Sequence, residues 1–203
     1  MLSFTDSLAD KISYHGKIYP VDLSFDTVLK FFELLNDGSL KDAEKISIAF
    51  EMFMGFPPEN ADFAIAVFEK INQYISKQPY GDEEVAVDGN GQEMTPRKYY
   101  SFTQDAEAIY SSFRQQYGIN LLHEKGKLHW DEFKALFAGL GPETYFQRIV
   151  EIRMRDTSKL EGQSLNDTLK AKEYYELNEN KTEEAREQQF TGFMNTLKAW
   201  AQS

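Results

Sequence analysis

Apolar and polar residues alternate near the start of the chain, on both sides of His15 and Gly16. Successive side chains of a strand point to opposite faces, so a period of two favours strands, and a two-residue loop between them favours a hairpin. The pattern predicts a β-hairpin over about residues 10–23. Because Pro20 has no backbone donor, we expect it at an unpaired edge of the hairpin.

Three segments with helical periodicity follow the hairpin. Their apolar residues recur at spacings of three and four, which places them on one face of an α-helix. Short connections between successive amphipathic helices favour a helical bundle. The three faces are Val28, Phe31, Phe32 and Leu35; Ile46, Ala49, Phe50 and Phe53; and Ala64, Val67, Phe68, Ile71 and Ile75.

Five more helical stripes are present after residue 99. Gly118 ends the first of them, because glycine adopts the left-handed conformation after a helix without strain. A capping signal at Thr182 opens the last one. The five stripes are Ala106, Ile109, Tyr110, Phe113 and Tyr117; Trp130, Phe133, Phe137 and Leu140; Tyr145, Ile149 and Ile152; Leu165, Leu169 and Tyr174; and Phe190, Phe193, Met194, Leu197 and Trp200.

Residues 79–96 differ in composition from the rest of the chain. They combine three glycines with five acidic residues and few large apolar groups, which predicts a flexible acidic linker or a wide loop. The predicted fold is mainly α, a helical bundle with a small N-terminal β-hairpin. We expect one domain over residues 1–177, with 79–96 as an acidic insertion, and an amphipathic helical extension over residues 178–203.

Composition narrows the classes of function. The 203 residues are 41% hydrophobic, which is enough apolar surface for a folded core. A net charge of −11 argues against nucleic-acid binding, which needs clustered lysine and arginine. The chain has no cysteine, so disulfides, thiolate metal sites and cysteine nucleophiles are excluded.

The sequence carries no sign of a membrane or export signal. Its first residues lack a basic region and an apolar region, and nowhere do 18 apolar residues follow one another. We therefore expect no membrane partner and a protein that stays in the cytoplasm where it is made.

His123, Glu124 and His129 invite a zinc interpretation, because metalloproteases place two histidines one helical turn apart around a glutamate. Here the histidines are six residues apart and Gly126 would interrupt a helix between them. With no third ligand in sight, we predict no metal. His129 is expected to cap or hydrogen-bond near the start of the Trp130 helix.

No sequence motif of an active site is present. The chain has no glycine-rich phosphate loop, no serine elbow and no dinucleotide fingerprint. Neighbouring carboxylates such as Asp105 and Glu107 point to different sides of a helix, so they cannot act together as an acid and a base. We predict a protein that is not an enzyme and needs no cofactor.

Two features are candidates for partner binding. Arg148, Arg153 and Arg155 lie near the end of a predicted helix, where they either complement the helix dipole or form a docking patch for carboxylates. The apolar stripe of the extension either docks on the core or is kept for a partner or a second copy. Its residues are Phe190, Phe193, Met194, Leu197 and Trp200.

Three short strings resemble the signature of a known family. They are residues 104–106 (Gln-Asp-Ala), 115–119 (Gln-Gln-Tyr-Gly-Ile) and 128–130 (Leu-His-Trp). The family is the "gene product fifteen" family, encoded in the tail module of long-tailed phages of Gram-positive bacteria. The resemblance extends from Leu23 to about Leu177 in the order of elements.

The resemblance implies a phage tail assembly chaperone. Such a protein binds the tape measure protein, keeps this long helical chain soluble, and helps to recruit subunits of the major tail tube protein. It acts in the host cell cytoplasm, is not expected in the mature virion, and is expected to self-associate. The alternative is a structural component of the tail or virion.

Overall fold

The structure is a computed structural model that describes residues 2–77 and 98–178. Within these ranges the chain forms seven helices and two strands, which confirms the predicted mainly α fold with a small N-terminal hairpin. The elements are β1 Lys11–Tyr14, β2 Lys17–Pro20, α1 Phe25–Asn36, α2 Asp42–Met54, α3 Ala61–Ile75, α4 Ala106–Tyr117, α5 Trp130–Ala138, α6 Tyr145–Met154 and α7 Gly162–Tyr174.

The described residues belong to two compact units. Unit 1 consists of residues 2–77 and 113–141, and unit 2 consists of residues 98–112 and 142–178. The predicted insertion 79–96 lies outside the described residues, and so does the predicted extension 178–203 apart from Asn178.

The hairpin of unit 1 has the predicted two-residue turn. β1 and β2 pair antiparallel, with Tyr14 opposite Lys17 at the turn. His15 and Gly16 have φ angles of 47° and 77°. Positive φ at both turn residues matches the right-handed twist of the strands, which is why this turn closes tight hairpins.

Phenylalanine rings fill the interior of unit 1. Phe50 and Phe63 meet edge to face with centroids 5.4 Å apart, while Phe133 stacks on Phe25 at 5.0 Å and on Phe113 at 5.4 Å. All five side chains are buried. Aromatic rings remove a large apolar area from water, so this cluster supplies much of the hydrophobic stabilisation of the unit.

The starts of α1 and α5 are joined by backbone hydrogen bonds. The N–H of Trp130 donates to the carbonyl of Leu23 at 2.8 Å, and the N–H of Phe25 donates to the carbonyl of Leu128 at 2.9 Å. The Asp26 carboxylate accepts the N–H of Gly126 at 2.8 Å. Burial opposes ionisation of this carboxylate, but its hydrogen bonds outweigh burial and lower its pKa.

The interior of unit 2 combines apolar and polar side chains. Phe146, Ile149 and Leu177 are buried there, and Ser112 is buried with them. The Ser112 hydroxyl donates to the carbonyl of Ala108 at 2.6 Å and accepts the N–H of Phe146 at 3.0 Å. A serine inside α4 thereby satisfies a backbone donor in the first turn of α6.

Several positions that the periodicity assigns to the core are exposed. Leu35 and Ile46 are about half exposed, although the other members of their stripes are buried or partly buried. On α4 the buried residue is Ala108 and not Ala106. On α6 it is Phe146 and not Tyr145.

Candidate interaction surface

The signature residue Gln104 binds a distant part of its own unit. Its side-chain amide donates to the carbonyl of Glu176 at 2.9 Å, and its side-chain oxygen accepts the N–H of Asn178 at 2.9 Å. The side-chain amide of Gln104 thus pairs with one backbone donor and one backbone acceptor of the segment that follows α7. Gln104 therefore holds the segment after α7 beside the start of α4.

Asp105, the next signature residue, forms a buried ion pair with Arg153. The guanidinium donates from Nη1 to Oδ2 at 2.7 Å and from Nη2 to Oδ1 at 2.8 Å. Its remaining donors bind the carbonyls of Tyr175 at 2.6 Å and Tyr99 at 2.9 Å. The ion pair joins the start of α4 to the end of α6. The two carbonyl bonds join Arg153 to the segments before α4 and after α7 as well.

Signature residues of the second string have the same role in unit 1. The Gln116 amide donates to the carbonyl of Gly139 at 2.9 Å and accepts the N–H of Gly141 at 2.8 Å. The Tyr117 hydroxyl donates to the carbonyl of Leu136 at 2.8 Å. These bonds hold the end of α4 on the end of α5.

His129 caps α5, as the sequence predicts. Its Nδ1 accepts the N–H of Asp131 at 3.1 Å, and the Glu132 carboxylate accepts the N–H of His129 at 3.1 Å. Its Nε2 lies 3.0 Å from the carbonyl of Ala9. Because Nδ1 accepts, Nε2 carries the proton and donates to Ala9, which fixes residue 9 beside α5.

Asp131 and Tyr74 extend this network. The Tyr74 hydroxyl donates to the Asp131 carboxylate, and Lys134 lies 3.3 Å from the other carboxylate oxygen. Burial, and then the Asp131 charge, raise the pKa of Tyr74. For Asp131, burial favours the neutral acid, but the Tyr74 hydrogen bond and the Lys134 charge outweigh it and lower its pKa.

These polar groups satisfy one another's hydrogen bonds. Among residues 2–77 and 98–178, every buried side-chain nitrogen or oxygen has a hydrogen-bond partner. No three histidine or acidic side chains of those ranges converge as a metal site would require. The signature residues of this chain thus hold neighbouring segments together within each unit.

Two of the predicted partner-binding arginines are exposed and one is not. Arg148 pairs with Glu143 at 3.0 Å, and Arg155 pairs with Glu151 at 2.8 Å, all on the surface. Arg153 is buried, and its guanidinium is bonded inside unit 2. The sequence suggested a helix-dipole or docking role for Arg153 and missed the pairing with Asp105, whose only signal was its place in the signature.

The predicted apolar stripe of the C-terminal extension lies outside the described residues. It consists of Phe190, Phe193, Met194, Leu197 and Trp200. Partner binding by this stripe, and by Arg148 and Arg155, stays a prediction.

A tyrosine cluster lies on the surface of unit 2, formed by Tyr145 of α6 with Tyr174 and Tyr175 at the end of α7. The rings of Tyr174 and Tyr175 meet edge to face with centroids 4.8 Å apart. A hydrogen bond to the Tyr175 hydroxyl, and then partial burial, raise the pKa of Tyr145. The raised pKa keeps Tyr145 a neutral phenol at neutral pH.

Much of this cluster is open to solvent. Tyr174 is 79% exposed and Tyr145 is 46% exposed, and Leu169 of α7 is 46% exposed as well. All three belong to stripes that the sequence predicts to be buried. Apolar and aromatic side chains that are left uncovered close to one another are typical of a surface that binds another protein.

Comparison with known protein families gives a match over most of the chain. The family model described as Bacteriophage Gp15 protein matches residues 4–177. No curated protein and no solved structure matches the chain. In the described part of the chain, no helix is long and apolar enough to span a membrane.

Proposed function

This chain belongs to the Bacteriophage Gp15 protein family, and from that premise we propose that it is a tail assembly chaperone for the tape measure protein. Membership indicates a phage structural or assembly protein. In the proposed role, the chain keeps the tape measure protein soluble in the host cytoplasm and helps to bring tail tube subunits to it. It is then released, so it is absent from the mature virion.

The observation that carries the proposal is the exposed face of unit 2 that holds the tyrosine cluster. Tyr145 of α6 and Tyr174 of α7 remain accessible there, and Leu169 of α7 is exposed as well. An amphipathic client helix buries its own apolar stripe against such a face. Tyrosine suits this contact, because its rigid ring covers apolar area while its hydroxyl still bonds to water or to the client.

Charge and copy number complete the mechanism. A net charge of −11 makes chaperone-coated clients repel one another, which opposes aggregation. A long helical client offers many repeated sites, so contacts that are individually weak hold many chaperones through avidity. Weak single contacts also let arriving tube subunits displace the chaperone.

The polar networks favour binding over catalysis. Arg153 with Asp105, and Tyr74 with Asp131, use their charges and donors within their own units. An acid or base for catalysis needs to reach a substrate proton. We therefore propose a role that involves no chemical step.

The test is co-expression with the tape measure protein of the same phage, followed by a pull-down and a solubility assay. We expect the native chain to recover the tape measure protein in the soluble fraction. A variant with Tyr145→Ser and Tyr174→Ser should recover at least about fivefold less, because two exposed anchors of the contact are lost. A native chain that neither binds nor solubilises the tape measure protein would contradict the proposal.

The matched control changes exposed apolar residues of unit 1. Ile65 and Leu122 are 56% and 61% exposed. A variant with Ile65→Ser and Leu122→Ser should recover as much tape measure protein as the native chain. An equal loss in both variants would show that general surface apolarity, and not the tyrosine cluster, retains the client.

Mass spectrometry of purified virions separates this role from that of a structural tail component. The chaperone role requires the chain to be missing from finished particles. Its recovery there in stoichiometric amount would favour the structural role.

A further inference from the structure

A cavity of about 170 Å³ lies between the hairpin and α3 in unit 1. Lys11 and Lys70 line it and are themselves exposed, so it opens to solvent on their side. Tyr74 and Ala9 contribute further parts of the wall. Its aliphatic lining residues are Ile12, Val21, Leu23 and Ile71.

The size and lining of the cavity suit one aromatic ring. An engineered apolar cavity of about 150 Å³ in another protein binds benzene, so a cavity of this volume holds a phenyl group. Aliphatic walls favour the ring, and two lysine ammonium groups favour a carboxylate beside it. The occupant should therefore combine a phenyl ring with a nearby acidic group.

The chain carries such a combination in its own N-terminal segment. Phe4 is fully exposed. The Ser3 hydroxyl accepts the N–H groups of Thr5 and Asp6, both at 3.2 Å, and donates to the Asp6 carboxylate at 3.0 Å. This turn holds the Phe4 ring and the Asp6 carboxylate two residues apart on one small loop.

We propose that Phe4 of one copy inserts into this cavity of a second copy, with Asp6 of the first copy paired to Lys70 of the second. A fully exposed phenylalanine is unfavourable in water, and burial against aliphatic walls removes that cost. The opposite charges of the Asp6 carboxylate and the Lys70 ammonium group favour the contact as well. Lys70 already donates to the carbonyl of Ser13 at the edge of the cavity, which holds its ammonium group close to the opening.

This contact uses two different surfaces of the chain. Each copy offers a ring at its N-terminal turn and a cavity between the hairpin and α3, so the contact is head to tail. Such a contact leaves a free Phe4 and a free cavity at the two ends of an open chain, and pairing of these two ends closes the assembly into a circle. The contact does not depend on the client-binding role proposed above.

The experiment measures the mass of the full-length chain by light scattering and analytical ultracentrifugation over a wide range of concentration. The native chain should show association that rises with concentration. Phe4→Ala removes the ring and keeps the cavity, whereas Ala9→Trp keeps the ring and fills the cavity. Each variant alone should associate at least about tenfold more weakly. A native chain that stays monomeric at all concentrations overturns the proposal.

Mixing the two variants gives the decisive result. Phe4→Ala offers an intact cavity and Ala9→Trp offers an intact ring, so the mixture should form a one-to-one complex that neither variant forms alone. Failure of the mixture to associate, or native association by Phe4→Ala alone, overturns the proposal. Leu122→Ala is the matched control, because Leu122 is an exposed apolar residue of the same unit, and it should associate as the native chain does.

Two further changes keep the proposal testable if the cavity variant Ala9→Trp does not fold. If Ala9→Trp loses its helical circular dichroism, Lys70→Glu should weaken association and Asp6→Lys in the same chain should restore it. No restoration overturns the ion pair and with it the proposed orientation. Finally, Phe4→Trp reports where the ring lies: blue-shifted fluorescence in a monomer would place it in its own cavity and exclude the second copy as occupant.

Discussion

Arg153 of α6 and Asp105 at the start of α4 form a two-pronged ion pair inside unit 2, with N–O distances of 2.7 and 2.8 Å. Both side chains are almost completely shielded from water. The pair is completed by the carbonyls of Tyr99 and Tyr175, so the guanidinium has a partner on each side. Removing one partner of a buried ion pair is costly, because the other charge then stays buried without a counter-charge.

Asp105→Asn should lower the free energy of unfolding by about 3–5 kcal/mol. The amide keeps the shape of the carboxylate but leaves the buried guanidinium without its counter-charge. Urea unfolding followed by circular dichroism measures the loss. The double variant with Asp105→Leu and Arg153→Met should lose less than the two single changes added together, because it removes both charges at once.

The control for this prediction is an exposed ion pair on the same helix. Arg155→Ala breaks the pair with Glu151 at the surface and should change stability by less than about 1 kcal/mol. A similar loss for Arg155→Ala and Asp105→Asn would contradict a special role for burial.

Gly118→Ala should destabilise the chain by about 1–2 kcal/mol, the cost of a left-handed conformation for a residue with a Cβ. Gly118 has a φ of 70°, and nothing lies within 4 Å of where its Cβ would be, so backbone strain alone sets the cost. Thermal unfolding measures the effect. Gly38→Ala is the control, since that site is open and lacks a positive φ; a shift beyond about 0.5 kcal/mol there would show that the comparison fails.

Periodicity predicts the helices but misplaces some of their faces. On α6 the sequence favours the stripe Tyr145, Ile149 and Ile152, whereas the buried face is Phe146, Ile149 and Arg153. The two stripes share Ile149, and their centres differ by a rotation of roughly 70° at about 100° per residue. Arg153 counts as polar in any apolar pattern, so only its pairing with Asp105 reveals that this face is buried.

The same cause explains α4 and the candidate surface. Ser112 is buried on α4 and binds Phe146, which turns the neighbouring Ala108 inward and leaves Ala106 outside. Polar residues inside unit 2 thus rotate both helices relative to their apolar patterns. The exposed position of Tyr145 follows from that rotation, and no local sequence signal could have predicted it.

Asp131→Asn should destabilise the chain at neutral pH, and the difference should shrink below about pH 4. The folded state lowers the pKa of Asp131, so it keeps the carboxylate ionised at a lower pH than the unfolded chain does. The stabilisation is therefore present above the unfolded pKa of about 3.9 and is lost as the pH falls through the folded pKa.

Urea unfolding of the native chain and the variant at several pH values measures this dependence. Glu69→Gln, a change at an exposed position of α3, is the control and should alter stability by less than about 0.5 kcal/mol at each pH. A native-to-variant difference for Asp131→Asn that is the same at pH 3 and pH 7 would exclude the ionised carboxylate as its source.

Two adjacent serines allow a closely matched comparison. Ser111 and Ser112 both donate to the carbonyl of Ala108, at 3.0 and 2.6 Å, but only Ser112 also accepts the N–H of Phe146. Ser112→Ala removes the hydroxyl that accepts this buried N–H and should cost about 1–3 kcal/mol. Ser111→Ala removes only a bond to a carbonyl that α4 already uses, so it should cost less than about 0.5 kcal/mol. Because alanine replaces serine on one helix in both variants, the difference in their unfolding free energies isolates the bond to α6, and equal losses would show that this bond contributes nothing.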